Sequence, residues 1–113
     1  MLKNTNEPIV KEKLGGNGKG KALNYPTPIP DMDGVFTMAT RFEMEPGSSI
    51  SYHKHAEDEE IYCIAAGDGD YCEDIQHTAA HAGDIFLCRK GHSHSLENTG
   101  KTVLVLYAAK AQK

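Results

Sequence analysis

A membrane-spanning helix needs an uninterrupted apolar run of about 18 residues, and the 113-residue chain has none. Met1 to Glu7 also lack the apolar segment of a secretory signal, so the expected location is the cytoplasm. Cysteine is scarce: Cys63, Cys72 and Cys88 are an odd number, which excludes a full disulfide framework and suits a reducing compartment, with one bridge the most that could form. Positive charge is not in excess. The net charge of -4 argues against nucleic acid and anionic membranes as partners. No long helical periodicity, fixed-period repeat or low-complexity tract beyond the N-terminal region is present. What remains is ordinary globular composition, 39% hydrophobic with 11 glycines, enough for one core and one domain.

Residues 1–33 carry little pattern and read as an irregular arm, flexible or running along an edge, in which Pro8-Ile9-Val10 suits a short strand. Within it, Gly15, Gly20 and Lys21 imitate a phosphate-binding loop. That reading fails on its own terms. Ala22 stands where a magnesium-binding hydroxyl is required, and Pro26, Pro28 and Pro30 forbid the helix that should follow.

Residues 34–113 read differently. Asp31 to Gly34 signal a turn, and Val35 to Met44 then alternate, with Phe36, Met38, Phe42 and Met44 on one face and Thr37, Arg41 and Glu43 on the other. Further extended segments are expected at Ile50 to His55, Glu60 to Ala66, Asp70 to Glu73, Thr78 to Ala82, Ile85 to Cys88, Ser93 to Glu97 and Thr102 to Ala109, with a loop at Asp74 to His77 and a loop or helical turn at Ala56 to Glu59. Roughly eight short strands with turn signals every eight to twelve residues favour an antiparallel sandwich or barrel, and a jelly roll is the natural candidate.

Two stretches carry chemistry. In the first, His53 and His55 are two apart, so an extended strand aims both imidazoles to one side, and a carboxylate follows at Glu59 or Glu60. The second, Gly83 to Asn98, supplies His92 and His94, which share parity. Three imidazoles and one carboxylate suit a divalent transition metal, and four protein ligands leave two positions of an octahedral ion for water, oxygen or substrate. Cys88 and Phe86 share parity on their strand, and a buried core thiol is the simpler reading of Cys88. Tyr62 and Phe42 suit core or pocket wall, His77 and His81 the surface, and Glu57-Asp58-Glu59 a solvated loop.

These stretches resemble the two motifs of the cupin family. The first motif is Gly, five residues, His-x-His, three or four residues, Glu, six residues, Gly, which Gly47, His53, His55, Glu60 and Gly67 match without a slip. The second is Gly, five residues, Pro-x-Gly, two residues, His, three residues, Asn, which Gly83, Gly91, His94 and Asn98 match, with Arg89 in place of the proline. Arg89 is a turn position, so a local change of geometry is expected there and not loss of a metal. The resemblance covers residues 47–98 and implies an all-β jelly-roll barrel with one divalent metal (manganese, iron, nickel or zinc) in its lumen, held by His53, His55, Glu60 and His94. Glu59 would then face solvent. It also implies a frequent homodimer, often with an exchanged N-terminal arm. For activity it implies a metal-dependent enzyme on a small polar metabolite, by dioxygenation, decarboxylation or sugar isomerisation or epimerisation, as in small oxalate-decarboxylase-like members. The alternative is a non-catalytic module that binds metal and small molecule. No catalytic acid or base is identified, and Arg41, Glu43 and Tyr52 are candidates without spacing logic.

Overall fold

Strand-forming stretches punctuated by glycine turns become ten strands in the computed structural model, which describes residues 1–31 and 33–113. They are β1 (Ile9–Glu12), β2 (Lys21–Pro26), β3 (Phe36–Met44), β4 (Ser49–Lys54), β5 (Glu59–Ala66), β6 (Asp68–Glu73), β7 (Gln76–His81), β8 (Ile85–Cys88), β9 (Ser93–Asn98) and β10 (Leu104–Ala111). Every pairing recorded between them is antiparallel. One sheet has the order β1-β2-β3-β10-β5-β8 and the other β4-β9-β6-β7, the two layers of the expected jelly roll. No helix among the described residues is long and apolar enough to cross a membrane. Cys63, Cys72 and Cys88 are all free thiols.

Alternation explains the core. On β3, Phe42 and Met44 turn inward; on β10, Leu104, Leu106 and Ala108 do; on β5, Tyr62 and Ile64 do. Together with Ile50 and Leu96 from the second sheet they form one continuous apolar cluster. It fills the end of the barrel where Gly67 joins β5 to β6. Gly67 has φ 91°, and a Cβ there would lie 2.8 Å from both the Leu104 Cα and the Val103 carbonyl oxygen. Only glycine fits such a turn. Asn98 closes the same end: its side-chain amide donates to the Met44 and Thr102 carbonyls, each at 2.9 Å.

Three local expectations are corrected. First, residues 21–26 are not irregular, while the short strand expected at Pro8-Ile9-Val10 forms over Ile9–Glu12. β2 pairs with β3 and puts Ala22 into the core, and β1 adds an outer strand on β2. Prolines forbid a helix but tolerate a strand end, and β1 reaches only from Lys21 to Asn24, leaving Pro26 beyond the double-paired part. The glycine-rich loop between them lies along β4, an edge strand that would otherwise expose its amides. Ser49 and Ser51 N–H donate to the Lys19 and Leu14 carbonyls at 2.8 and 3.0 Å, and a Cβ on Gly18 would meet the Ser49 carbonyl oxygen at 2.1 Å.

Second, Phe36 is 59% exposed despite its expected place on the inner face of β3. The β3–β10 register slips between Lys110 and Ala111, which pair with Met38 and Phe36, so the alternation breaks at the mouth of the barrel. Third, the expected loop at Asp74 to His77 is only two residues long. Asp74 and Ile75 both take positive φ, 48° and 66°, as a type I′ hairpin requires, and Glu73 pairs directly with Gln76. Of the two forms expected after His55, the loop is the one found, with a bend at Ala56 and Glu57, and β5 begins at Glu59.

Candidate metal centre

Four polar side chains meet at the end of the barrel opposite Gly67. His53 on β4 pairs directly with His94 on β9, so both rings leave the same face of that sheet. His55 follows two residues after His53, fastened by its N–H to the His92 carbonyl (2.9 Å) and by its own carbonyl to the Gly91 N–H (2.7 Å). Glu60, near the start of β5, faces them from the other sheet. The three ring centroids lie 4.7–4.8 Å apart, each pair edge to face. Glu60 Oε1 is 3.0 Å from His94 Nε2, 3.1 Å from His55 Nε2 and 3.8 Å from His53 Nε2. His55, Glu60 and His94 are buried, while His53 keeps 27% of its side chain exposed and marks the open side.

The outer nitrogen of each ring sets its tautomer. His53 Nδ1–H donates to the Ser51 carbonyl at 2.6 Å, since a carbonyl can only accept. His55 Nδ1–H donates to Asp58 Oδ1 at 2.7 Å. The Tyr71 hydroxyl donates to Glu73 Oε1 at 2.7 Å and so accepts from His94 Nδ1–H at 3.1 Å. All three Nε2 atoms therefore carry lone pairs, and all three point inward beside a carboxylate. His55 Nε2 and His94 Nε2 are 2.9 Å apart with no proton between them in these tautomers. Such a knot of acceptors is repulsive unless a cation or a proton sits within it. Its donor set, neutral imidazole with one carboxylate, is that of a transition-metal site, and the ligating atoms lie within 4.8 Å of one another, so the cluster could hold a metal ion.

Burial would push the Glu60 carboxyl up, but in the metal-free cluster the hydrogen bonds that His53 and His94 donate once Nε2 takes up a proton override this and hold it at about 2. The same bond to Glu60 is the chief cause that raises His53, and His94 is lowered by burial. Tyr62 stacks on His94 at 4.7 Å and Tyr71 stacks on Phe86 at 4.1 Å, so the rings are fixed by packing as well as hydrogen bonds. Burial pushes both phenols up, and it raises the Cys88 thiol to about 12, so Cys88 is a neutral core thiol.

The other sequence candidates lie elsewhere. Glu59 is exposed, and His92 pairs with Asp74 at the surface. His77 and His81 are surface residues paired with Asp70 and Asp68. Arg41 and Glu43 pair with each other at 3.2 Å on the outer face of the sheet, and Tyr52 is half exposed. Arg89 occupies an exposed turn that closes normally, its carbonyl accepting from the His92 N–H at 3.0 Å. Two contacts to the cluster were not expected from the sequence. Asp58 belongs to the acidic stretch read as solvated, and only its i, i+3 position relative to His55 hinted otherwise. Tyr71 lies on β6, and its reach to His94 follows from the β6–β9 register, which no local pattern displays.

The chain matches the model of the Cupin domain family over residues 40–109. It is 41% identical over 68 residues to the oxalate-binding protein of Thermotoga maritima; the match covers 60% of this chain and spans 56% of that relative's length. Its fold superposes on a crystal structure from Thermotoga maritima, described as a predicted oxalate decarboxylase, with a TM-score of 0.91, 30% identity, and coverage of 100% of this chain and 99% of that one. The cupin domain of Schizosaccharomyces pombe Cnp3 shares the fold at 17% identity, with a TM-score of 0.72 and coverage of 96% and 90%. With its family model matched over most of its length and both motifs folded onto one lumen, the chain belongs to the cupin family.

Proposed function

We propose that His53, His55, Glu60 and His94 hold one divalent transition metal ion, and that the metal-loaded barrel binds a small carboxylate metabolite of the oxalate class. The observation that carries this reading is the convergence of three Nε2 lone pairs on a carboxylate, with each Nδ1–H already committed to Ser51, Asp58 or Tyr71. Outer partners of this kind orient imidazole ligands and raise their basicity. A bound metal supplies Lewis acidity and a template for oxygen donors. The protein's own residues set the rest. Asp58 and Tyr71 lock two rings, Tyr62 and Phe86 exclude water from the inner side, and the exposed edge of His53 leaves the approach for ligand. The oxalate class comes from the relatives' descriptions.

Turnover of that ligand is the second reading. It is favoured by the open His53 side, since a closed site would be structural only. Against it, burial raises the Tyr62 and Tyr71 phenols and the Cys88 thiol, so none of them is poised to exchange a proton near pH 7. Calorimetric titration of oxalate into apo-protein and into protein loaded with manganese(II), iron(II), nickel(II) or zinc(II) tests the binding reading. Metal-dependent binding is expected, and equal heats with and without metal would overturn it. Formate and carbon dioxide released from oxalate would establish turnover.

A homodimer is also part of this reading. The outer face of the six-stranded sheet exposes Ile85, Leu87 and Tyr107, an apolar surface of the kind that marks an interface. Analytical ultracentrifugation should show twice the chain mass, and a purely monomeric species would refute it.

A further inference from the structure

The inward face of β10 runs Leu104, Leu106, Ala108, and then a charge: Lys110. Lys110 is the last residue of β10 before the slip in its register with β3. Lys110 pairs with Glu60 on one side and Met38 on the other, and directly paired residues project from the same face. Lys110 therefore leaves β10 on the face from which Glu60 leaves β5. It is only partly exposed, and among the described residues no carboxylate lies within 4.0 Å of it. A long flexible cation on a luminal face, without a partner and next to the open side of a metal cluster, serves no packing need that Leu or Met would not serve better.

We propose that Lys110 is the anion-recognition residue of the site: it receives the carboxylate of a small dianion whose oxygens face the metal, and so selects dicarboxylates over monocarboxylates. This rests on the metal-site reading above and adds the charge of the ligand to it. A cation partly withdrawn from water, next to the site where the anion docks, attracts the second negative charge more strongly than one in bulk solvent. The stem of a lysine has the length to move between the mouth and the cluster as ligand arrives.

The test uses the full chain loaded with manganese(II), with oxalate and acetate as probes. Lys110→Met and Lys110→Gln should retain the wild-type metal content. Both should lose oxalate affinity about tenfold or more, with acetate affinity unchanged, and the remaining oxalate affinity should depend less on ionic strength. Lys110→Arg should restore most of the oxalate affinity. If wild type binds oxalate and the uncharged variants bind it equally well, the inference falls and the metal-site reading stands. If wild type takes up metal but not oxalate, the ligand reading falls and the inference with it. Loss of metal from both uncharged variants would assign Lys110 to the upkeep of the metal cluster and overturn its role in anion selection.

Discussion

Replacing Asp58 with asparagine removes one negative charge 2.7 Å from His55 Nδ1 and alters little else. Asp58 lies in the loop before β5, with about a fifth of its side chain exposed, and carries no core contact that asparagine could not keep. The asparagine carbonyl still accepts the Nδ1–H bond, so the tautomer survives, and only the electrostatic gain in Nε2 basicity is lost. Outer-shell substitutions of this type weaken metal affinity by roughly 10–100-fold, about 1.4–2.8 kcal/mol. Asp58→Asn should fall near the low end of that range. Asp58→Ala, which also frees the ring to turn, should fall near the high end. Zinc(II) affinity measured by competition with a chromogenic chelator reads both, and Glu59→Gln, an exposed neighbour, serves as the reference. If Asp58→Asn and Asp58→Ala both bind zinc as tightly as Glu59→Gln, the dyad does not tune the metal and the tautomer argument is wrong.

Gly67→Ala should destabilise the apo-protein by at least ~2 kcal/mol in denaturant titration, because φ 91° is strained for alanine and the new Cβ meets backbone at 2.8 Å; an unchanged midpoint would show that the turn relaxes freely. Ile75→Gly should stabilise by about 1 kcal/mol, since a β-branched residue sits at φ 66° with 85% exposure and nothing to pack against; a lower midpoint would refute it. Glu60 has a depressed folded pKa, about 2. Its contribution to apo-protein stability is therefore present above the unfolded value of ~4.3 and lost as pH falls towards 2. That contribution is of order 3 kcal/mol, so the wild type should lose stability through this window more steeply than Glu60→Gln, and parallel curves would refute the assignment.

Much of the site is local in the sequence. His53 and His55 lie two residues apart at the end of β4, and the six-residue gap from Glu60 to Gly67 runs up β5 to the turn that must be glycine. The same logic located most strands from Phe36 onward, because each is bounded by a turn signal that survives in the fold. What stayed hidden is set by pairing between distant segments. β2 is a strand because β3 offers it a partner, not because Lys21–Pro26 alternates. Asp74-Ile75 makes a tight hairpin without the usual glycine, so the register of β6 and β7 imposes a turn that the residues themselves disfavour. The Tyr71–His94 contact comes from the β6–β9 register, whereas Asp58 reaches His55 locally but from a stretch whose charges read as solvated.

Elemental analysis of purified protein, reconstituted with manganese(II), iron(II), nickel(II) or zinc(II) and then desalted, addresses the centre of this account. One equivalent of at least one of these metals per wild-type chain is expected, with near-complete loss in His55→Ala at unchanged circular dichroism. A wild-type protein that retains none of the four, or a His55→Ala protein that retains the full equivalent, would contradict it.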